Sequence, residues 1–298
     1  MNKQVLNLNE GELVEVKMAE DISETLDQNC EFEALPFMDE MRQYCGKRLV
    51  VLKRVEKIIV EGVGVRYLKN TVILKGADCS GIAHGGCSRT CPILWKEAWL
   101  KRPRVQLISV DNYLKLTEPT SNQKQHETSG LRCQSISLVN ASSDLPPWNP
   151  KRYMLDIRAG NFRPMMASFK LVIKRLLTGK SRSGLPLHVR RTPTITLNLK
   201  PGELIEVKSK EEIFATLDSS GKNRGLEFTP EMEKYCGKEV RVLRRMDKMF
   251  NETTGEMRQI ANTVILEGTN CDGHAHGGCP RSCYCLWREI WLRRAGSK

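Results

Sequence analysis

One cysteine-rich segment occurs twice in this chain. The first copy, CSGIAHGGCSRTC, runs from Cys79 to Cys91, and the second, CDGHAHGGCPRSC, runs from Cys271 to Cys283. Each copy spaces three cysteines as C-x7-C-x3-C, and its Gly-Gly pair lets the backbone turn tightly between them. Each is followed by Trp-Lys/Arg-Glu-x-Trp-Leu. The chain must therefore fold as a duplicated module built around a cysteine-rich turn.

The duplication extends far beyond the cysteines. Leu6–Lys17 matches Leu197–Lys208, and the alignment holds without a gap through Cys45 and Cys236. The second copy gains one residue near Asn251–Gly255. Each copy is longer than the roughly 20 to 50 residues of a solenoid repeat, so two complete domains are favoured. We predict four segments: a cysteine-rich module 1–102, a polar flexible linker 103–150, a basic amphipathic helical connector 151–194 and a second module 195–298.

Local patterns predict the same mixture of elements in both copies. Glu12–Val16 and Leu49–Val55 alternate apolar with charged residues, which is the period of a half-buried strand. Ser209, with Glu212 three residues later, fits the capping box of a short helix. We therefore predict an α+β fold of tandem small strand-rich modules, either SH3-like barrels or another α+β arrangement. A partly helical basic connector is expected to join them.

Four cysteines recur at equivalent positions of each module. Zinc prefers four tetrahedral thiolate or imidazole ligands and can contribute directly to the folding of a small domain. We predict one structural, cysteine-ligated zinc ion per module, two per chain. The predicted ligands are Cys45, Cys79, Cys87, Cys91, Cys236, Cys271, Cys279 and Cys283. His84 and His276, which precede the Gly-Gly pairs, are alternative ligands.

Three other roles for these thiols remain open. Cysteine is often a small buried apolar residue, and it also forms disulfides. An iron–sulfur cluster is less favoured than zinc, because the C-x3-C-x2-C spacing of radical enzymes is absent. A pair such as Cys87 and His84 could activate a thiolate, but its duplication argues against a single nucleophile. No catalytic residue and no small-molecule substrate are predicted.

The cysteine content also bears on the compartment. Eleven cysteines occur in a chain whose first residues, MNKQVLNLNEGELVEV, lack a basic stretch followed by an apolar one. This combination indicates thiols or metal ligands in a reducing compartment. We expect a cytoplasmic protein, with peripheral membrane contact as an open possibility.

The excess positive charge lies in the middle of the chain. Residues 103–194 contain 15 Lys and Arg against 5 Asp and Glu, whereas residues 1–102 are balanced at 15 against 15. Beyond Pro164, apolar and basic residues alternate at helical spacing, which predicts an amphipathic basic helix. The helix could bridge the modules, contact an anionic membrane surface or bind nucleic acid. The residues predicted to bind an anionic partner are Lys170, Lys174, Arg175, Lys180 and Arg182.

The paired tryptophans admit two interpretations. Trp95 and Trp99, like Trp287 and Trp291, stand on either side of a glutamate. Such a pair favours a packed core face, and the alternative is a platform on which bases or sugars stack. The glutamates would repel a phosphate backbone, which weakens the second interpretation.

The repeated blocks support one resemblance. Cys-Asp/Ser-Gly-x-Ala-His-Gly-Gly-Cys, Trp-Lys/Arg-Glu-x-Trp-Leu and the upstream Glu-Met-x-x-Tyr-Cys-Gly resemble those of a group of uncharacterised bacterial proteins. The resemblance covers both repeats and, less clearly, the middle segment. It implies a bacterial cytoplasmic protein and carries over no activity or ligand.

These observations lead to two functional hypotheses. The first is a non-enzymatic, metal-stabilised binding or scaffold protein that contacts an anionic partner through the basic connector. That partner is a membrane surface or a nucleic acid, and a protein partner also remains open. The alternative is a metal-dependent enzyme with an open zinc position in one repeat.

Overall fold

The fold consists of two similar strand-rich modules with few helices. A computed structural model describes residues 5–103, 133–158, 192–273 and 276–296. The strands of the first module and the segment after it are β1 Leu13–Val16, β2 Glu31–Phe32, β3 Leu35–Pro36, β4 Arg48–Arg54, β5 Lys57–Val60, β6 Gly64–Tyr67, β7 Thr71–Asp78, β8 Pro92–Lys96, β9 Leu100–Lys101 and β10 Ser143–Asp144. Those of the second are β11 Leu204–Val207, β12 Lys222–Asn223, β13 Leu226–Glu227, β14 Glu239–Arg245, β15 Lys248–Phe250, β16 Met257–Gln259, β17 Thr263–Asn270, β18 Tyr284–Arg288 and β19 Leu292–Arg294.

Each module has one five-stranded antiparallel sheet with the same topology. The strand order is β8-β7-β4-β1-β9 in the first and β18-β17-β14-β11-β19 in the second. Short helices complete the described structure: α1 Ala19–Ser23, α2 Gln134–Ala141, α3 Pro150–Arg158 and α4 Lys210–Phe214. Single 3-10 turns lie at Asp39–Tyr44, Ile82–His84, Glu97–Trp99, Pro230–Tyr235 and Glu289–Trp291. The prediction of tandem strand-rich modules is confirmed, and the SH3-like barrel stays a prediction.

The local signals in the sequence account for several of these elements. In β1, Val14 and Val16 are fully buried while the alternate residues face outward, as the alternation predicts. Ser209 caps α4 through a reciprocal pair of bonds. Its Oγ accepts from the Glu212 N–H at 3.3 Å, and the Glu212 carboxylate accepts from the Ser209 N–H at 2.9 Å.

The four tryptophans of the repeated blocks form the centres of the two cores. Each is 0% exposed, so the packed-core interpretation is confirmed and a stacking platform is not formed. Phe37 packs edge-on against Trp95 and Trp99, with ring centroids 6.5 and 5.4 Å away. Phe228 occupies the equivalent place in the second module. Edge-to-face pairs at such separations add to the free energy of burial.

The glutamate between each tryptophan pair is also buried. Glu97 accepts the backbone N–H groups of three consecutive residues, 6–8, at 2.9 to 3.1 Å, and Arg54 at 2.5 Å. Glu289 binds residues 197–199 and Arg245 in the same way. Each carboxylate therefore ties the segment before the first strand to the middle of its module.

The two modules pack on each other through their cysteine-rich loops. The Ser88 N–H donates to the Lys248 carbonyl at 2.9 Å, and the Ser88 Oγ accepts from the Asp247 N–H at 3.0 Å. Arg244 Nη1 donates to the Ser80 carbonyl at 3.0 Å. The loop after β7 thus bonds directly to the strands of the other module.

Apolar side chains cross this interface in both directions. Cys87 belongs to an apolar cluster of the second module that includes Met249 and Phe250. Cys279 belongs to the core of the first module. Because each module buries a cysteine of the other, the cores depend on each other.

A buried ionic cluster lies at the same interface. Glu252 Oε1 accepts from Arg89 Nη1 at 2.8 Å and from Arg281 Nη1 at 2.5 Å. Arg89 and Arg281 occupy equivalent positions of the two repeats. One carboxylate therefore serves two arginines, and it stands in the turn where the second copy has its additional residue.

The middle segment differs from the predicted linker. Within 103–150, helix α2 packs against the first module: the Gln134 side chain accepts from the Leu94 N–H and donates to the Leu94 carbonyl, both at 2.9 Å. Helix α3, at the start of the predicted connector, is held by a buried ion pair between Lys57 and Asp156. No helix in the described ranges is both long and apolar enough to cross a membrane.

Candidate metal centres

The first module brings a carboxylate, a thiol and an imidazole together. Single ligand atoms of Glu40, Cys79 and His84 all lie within 4.8 Å of one another. His84 Nε2 is 3.2 Å from Glu40 Oε1, and the Ser80 N–H donates to Glu40 Oε2 at 2.7 Å. Glu40 comes from the 3-10 turn before β4, while Cys79 and His84 come from the loop after β7.

The second module repeats this group at equivalent positions. Glu231, Cys271 and His276 also offer one ligand atom each within 4.8 Å of one another. His276 Nε2 lies 3.8 Å from Glu231 Oε1, so the pair is looser than its counterpart. The same three residue types therefore converge in both modules.

The fold of the loop explains why the cysteine and histidine meet. The first and last cysteines of each C-x7-C-x3-C segment are joined by a backbone hydrogen bond. The Cys79 N–H donates to the Cys91 carbonyl at 2.8 Å, and the Cys271 N–H donates to the Cys283 carbonyl at 2.7 Å. Inside the loop, Gly81 has φ +75, and a Cβ there would lie 1.7 Å from the Cys87 carbonyl oxygen. Only glycine fits this crossing, which turns the histidine back toward the first cysteine.

The surroundings shift the pKa values of Glu40 and Glu231 in opposite directions. Burial acts to raise the pKa of Glu40, but hydrogen bonds from His84 and from the Ser80 backbone outweigh it and hold the pKa at about 2. Burial raises the pKa of Glu231, and the neighbouring carboxylate of Asp272 raises it further. Asp272 stands where the first copy has Ser80. The second group therefore has an additional carboxyl group beside it, and its own glutamate is harder to ionise.

Two polar atoms of these groups lack a hydrogen-bond partner among the described residues. His84 Nδ1 and Glu231 Oε2 are buried without a hydrogen-bond partner in the described part of the chain. Leaving a buried polar atom unsatisfied costs about 1 to 3 kcal/mol. A bound cation would relieve such a cost, and thiolate, imidazole and carboxylate are all ligands of zinc.

The structure does not bring the four predicted cysteines of either set together. In the described residues, each group contains one cysteine, with a glutamate and the histidine that the sequence offered as an alternative ligand. Cys45 packs against the first core, where its nearest charges are Arg42 and Glu20. Cys236 occupies the corresponding place in the second module. Each of these cysteines follows a 3-10 turn. Glu40 or Glu231 of that turn, and not the cysteine after it, lies beside the cysteine-rich loop.

The remaining predicted cysteines lie at the interface between the modules. Cys87 and Cys279 pack into the opposite module, as described above. Cys91 receives a hydrogen bond from Ser135 Oγ at 3.5 Å. Burial raises the pKa of Cys283 to about 11, against the lowering effect of Arg281 and Arg89. All cysteines are free thiols, so no disulfide forms.

Glu40 and Glu231 were missed by sequence reasoning, although a signal exists. Both open the repeated Glu-Met-x-x-Tyr-Cys-Gly block, five residues before the cysteine of that block. The five basic residues predicted to bind an anionic partner lie outside the described residues.

The two centres differ in their access to solvent. The side chain of His84 is 2% exposed, whereas that of His276 is 44% exposed. A cavity of only about 20 Å³ borders Cys79 and His84. A cavity of about 570 Å³ borders Glu231, Cys271 and His276. The first centre is therefore closed and the second is open.

Comparisons with protein-family models, with curated proteins and with solved structures returned no match.

Proposed function

We propose that this chain is a metal-stabilised binding protein with one zinc ion in each module. Zinc is held by Glu40, Cys79 and His84 in the first module and by the equivalent residues in the second. Nitrogen, sulfur and oxygen donors of these types are those that zinc takes in proteins. The observation that carries the proposal is the formation of the same three-residue group in both modules.

The closed and open centres suit different tasks. In the first module the buried ion links the 3-10 turn to the loop after β7, which suits a structural role. In the second, three protein ligands beside a large cavity leave a coordination position for water or a bound ligand. This difference favours a second candidate function, a metal-dependent enzyme whose open zinc position lies in the second repeat.

The anionic partner predicted for the basic connector remains part of the proposal. The concentration of positive charge in residues 103–194 supports it. A bound membrane surface or nucleic acid would be recognised through its phosphates in either case. Binding to anionic vesicles free of nucleic acid separates the two.

The test is the metal content of the full chain purified without oxygen, measured by elemental analysis together with the absorption spectrum. We expect about two zinc ions per chain, one for each three-residue ligand group. Cys79→Ser and Cys271→Ser should each reduce this to about one. Cys45→Ser and Cys236→Ser are matched controls and should leave the zinc content unchanged.

Replacement by cobalt checks the ligand type. A centre with one thiolate gives a much weaker sulfur-to-cobalt absorption band than a centre with four. Loss of zinc in the Cys45→Ser control, a strong four-thiolate band or an iron–sulfur chromophore would each contradict the proposed ligands.

A further inference from the structure

The two modules differ in charge at one position of the turn between their short strands. Glu33, after β2, is replaced by Arg224, after β12, in the second copy. Both residues have the left-handed backbone conformation, with φ of 52° and 47°, so the turn itself is conserved between the copies. Only the side-chain charge is reversed.

In the first module this turn supplies the acid of a buried ion pair. Lys96 is 1% exposed, and its Nζ donates to Glu33 Oε2 at 3.1 Å and to the Lys69 carbonyl at 3.0 Å. A buried ammonium group needs such a partner, because an unpaired charge is expensive to remove from water. In the first module the position beside the buried Lys96 ammonium group is therefore occupied by a carboxylate.

In the second module the equivalent cation faces another cation. Arg288 replaces Lys96, and its guanidinium donates only to neutral oxygens in the described structure. Burial lowers the pKa of Arg288, and the nearby charge of Arg224 lowers it further. Neither arginine forms an ion pair with a carboxylate of the described residues. At the positions of Glu33 and Lys96 the second module therefore has two positive charges, whereas the first has one of each sign and a further cation, Lys69, 3.8 Å from Glu33.

Both arginines border the open cavity of about 570 Å³. This volume lies in the range of small-molecule sites, about 300 to 1,000 Å³. The other arginines of the cavity wall already have acids: Arg258 pairs with Glu61 at 3.5 Å, and the two interface arginines share Glu252. Arg224 and Arg288 are thus the cations of this wall that the described residues leave without an acid.

We propose that Arg224 and Arg288 bind the carboxylate or phosphate group of a small molecule that enters this cavity. The anion takes the place that the Glu33 carboxylate occupies in the first module. The guanidinium of the exposed Arg224 can offer two parallel N–H donors to an oxyanion. Arg288 already donates its Nε hydrogen, both Nη1 hydrogens and one Nη2 hydrogen to protein oxygens, so it adds its charge and the remaining Nη2 hydrogen. The site shares its cavity with the second metal centre, yet it does not require the metal.

The test uses the full chain and two probes, succinate and inorganic phosphate, titrated calorimetrically in a buffer of fixed ionic strength. We expect saturable binding of at least one probe, and the tighter probe identifies the group that the site prefers. Arg224→Glu restores the acid of the first module, so it should weaken that binding by about tenfold or more. It should also leave the thermal midpoint unchanged or raise it.

The matched control is Arg241→Glu, which makes the same charge change on an exposed residue of β14 outside the cavity wall. It should leave the probe affinity within about twofold, since distant exposed charges are screened. Should Arg224→Glu fail to fold, Arg224→Gln removes the charge without adding an acid and should also weaken binding.

Three results would overturn the inference: no saturable binding of either probe, equal binding by wild type and Arg224→Glu, or an equal loss in Arg241→Glu. Cys271→Ser separates this inference from the metal proposal. Probe binding should survive that substitution even though zinc at the second centre is lost.

Discussion

Glu97 and Glu289 illustrate how a single side chain organises each module. Each is at most 1% exposed, and each accepts three consecutive backbone N–H groups and an arginine. A buried carboxylate is stable only when it is paired and fully hydrogen-bonded, and both conditions hold here. The glutamate in the Trp-x-Glu-x-Trp pattern is therefore a structural residue that fixes the entry of the chain into the sheet.

Glu97→Gln should lower the free energy of unfolding by about 3 kcal/mol, because Arg54 loses its buried partner and the amide nitrogen faces backbone donors. Urea denaturation measures the change. Glu10→Gln, at an exposed position, is the control and should be neutral to within about 0.5 kcal/mol. An equal loss in both variants would show that the buried contacts contribute little.

The same carboxylates predict a dependence of stability on pH. Burial acts to raise the pKa of Glu97 and Glu289, but hydrogen bonds from the backbone and the arginines lower it below the ordinary value of 4.5. A lowered native pKa stabilises the fold fully above the unfolded pKa, and this stabilisation is lost as the pH falls through the native value. The free energy of unfolding should therefore decline below pH 4.5, and the decline should be smaller in the Glu97→Gln variant.

At the scale of elements, alternation in the sequence was sufficient for the main strands and insufficient for the middle segment. Strands β1 and β4 begin and end within one residue of the predicted ranges. In β1 the buried Val14 and Val16 alternate with more exposed residues, whereas in β4 only Val51 is buried and the alternation is weaker. Helix α2, QSISLVNA, mixes polar and apolar residues, and its position depends on hydrogen bonds from Gln134 to strand β8 of the first module. Hydrogen bonds to a distant strand cannot be inferred from a local sequence pattern. The composition of the segment therefore indicated only a flexible linker.

In the candidate metal centres, too, local sequence patterns predicted some ligands and missed those that only the folded chain brings close. The recurrence of Cys79 and Cys271 predicted one thiol of each group, and the histidines were alternatives. The sequence did not identify Glu40 and Glu231 as ligands, because glutamates are common on protein surfaces and only the folded 3-10 turn places them beside the loop. Cys45 and Cys236 were predicted as ligands because zinc prefers thiolates. That preference says nothing about the direction in which each side chain leaves the turn.

The cysteine-rich loop yields a prediction about backbone geometry. Gly81→Ala should lower the free energy of unfolding by about 3 kcal/mol, since the left-handed conformation and the collision with the Cys87 carbonyl both add cost. Gly76→Ala is the matched control: its φ is +77, and nothing lies within 4 Å of an added Cβ. It should cost only about 1 kcal/mol, the conformational part. Thermal denaturation and zinc content of both variants measure the difference, and equal losses would contradict the close approach.

At the scale of the whole molecule, Glu252 joins the modules electrostatically. Its side chain is 2% exposed, and it neutralises an arginine from each repeat. The side chains of Arg281 and Arg89 are only 4% and 20% exposed, so removal of the acid would leave two largely buried charges without this compensation. The additional residue of the second copy lies in the same turn, which gives that turn a role in assembly.

Glu252→Gln should lower the free energy of unfolding by about 3 to 5 kcal/mol, the usual cost of breaking a buried ion pair from one side. The control is Glu61→Gln, whose exposed pair with Arg258 at 3.5 Å should contribute at most about 1 kcal/mol. Urea denaturation of both variants tests the prediction. A small effect of Glu252→Gln would mean that the modules associate mainly through their apolar contacts.

Cys87 packs into the second module and Cys279 packs into the first. This reciprocal contact resembles the isologous interface of a symmetric dimer, although both halves belong to one polypeptide. In a symmetric homodimer every substitution occurs twice, so a charge reversal that helps one site alters both. Covalent fusion removes this restriction. One half can keep its ion pair and its closed centre, while the other carries two arginines without an acid among the described residues, an exposed imidazole and Glu252, which pairs with an arginine of each half.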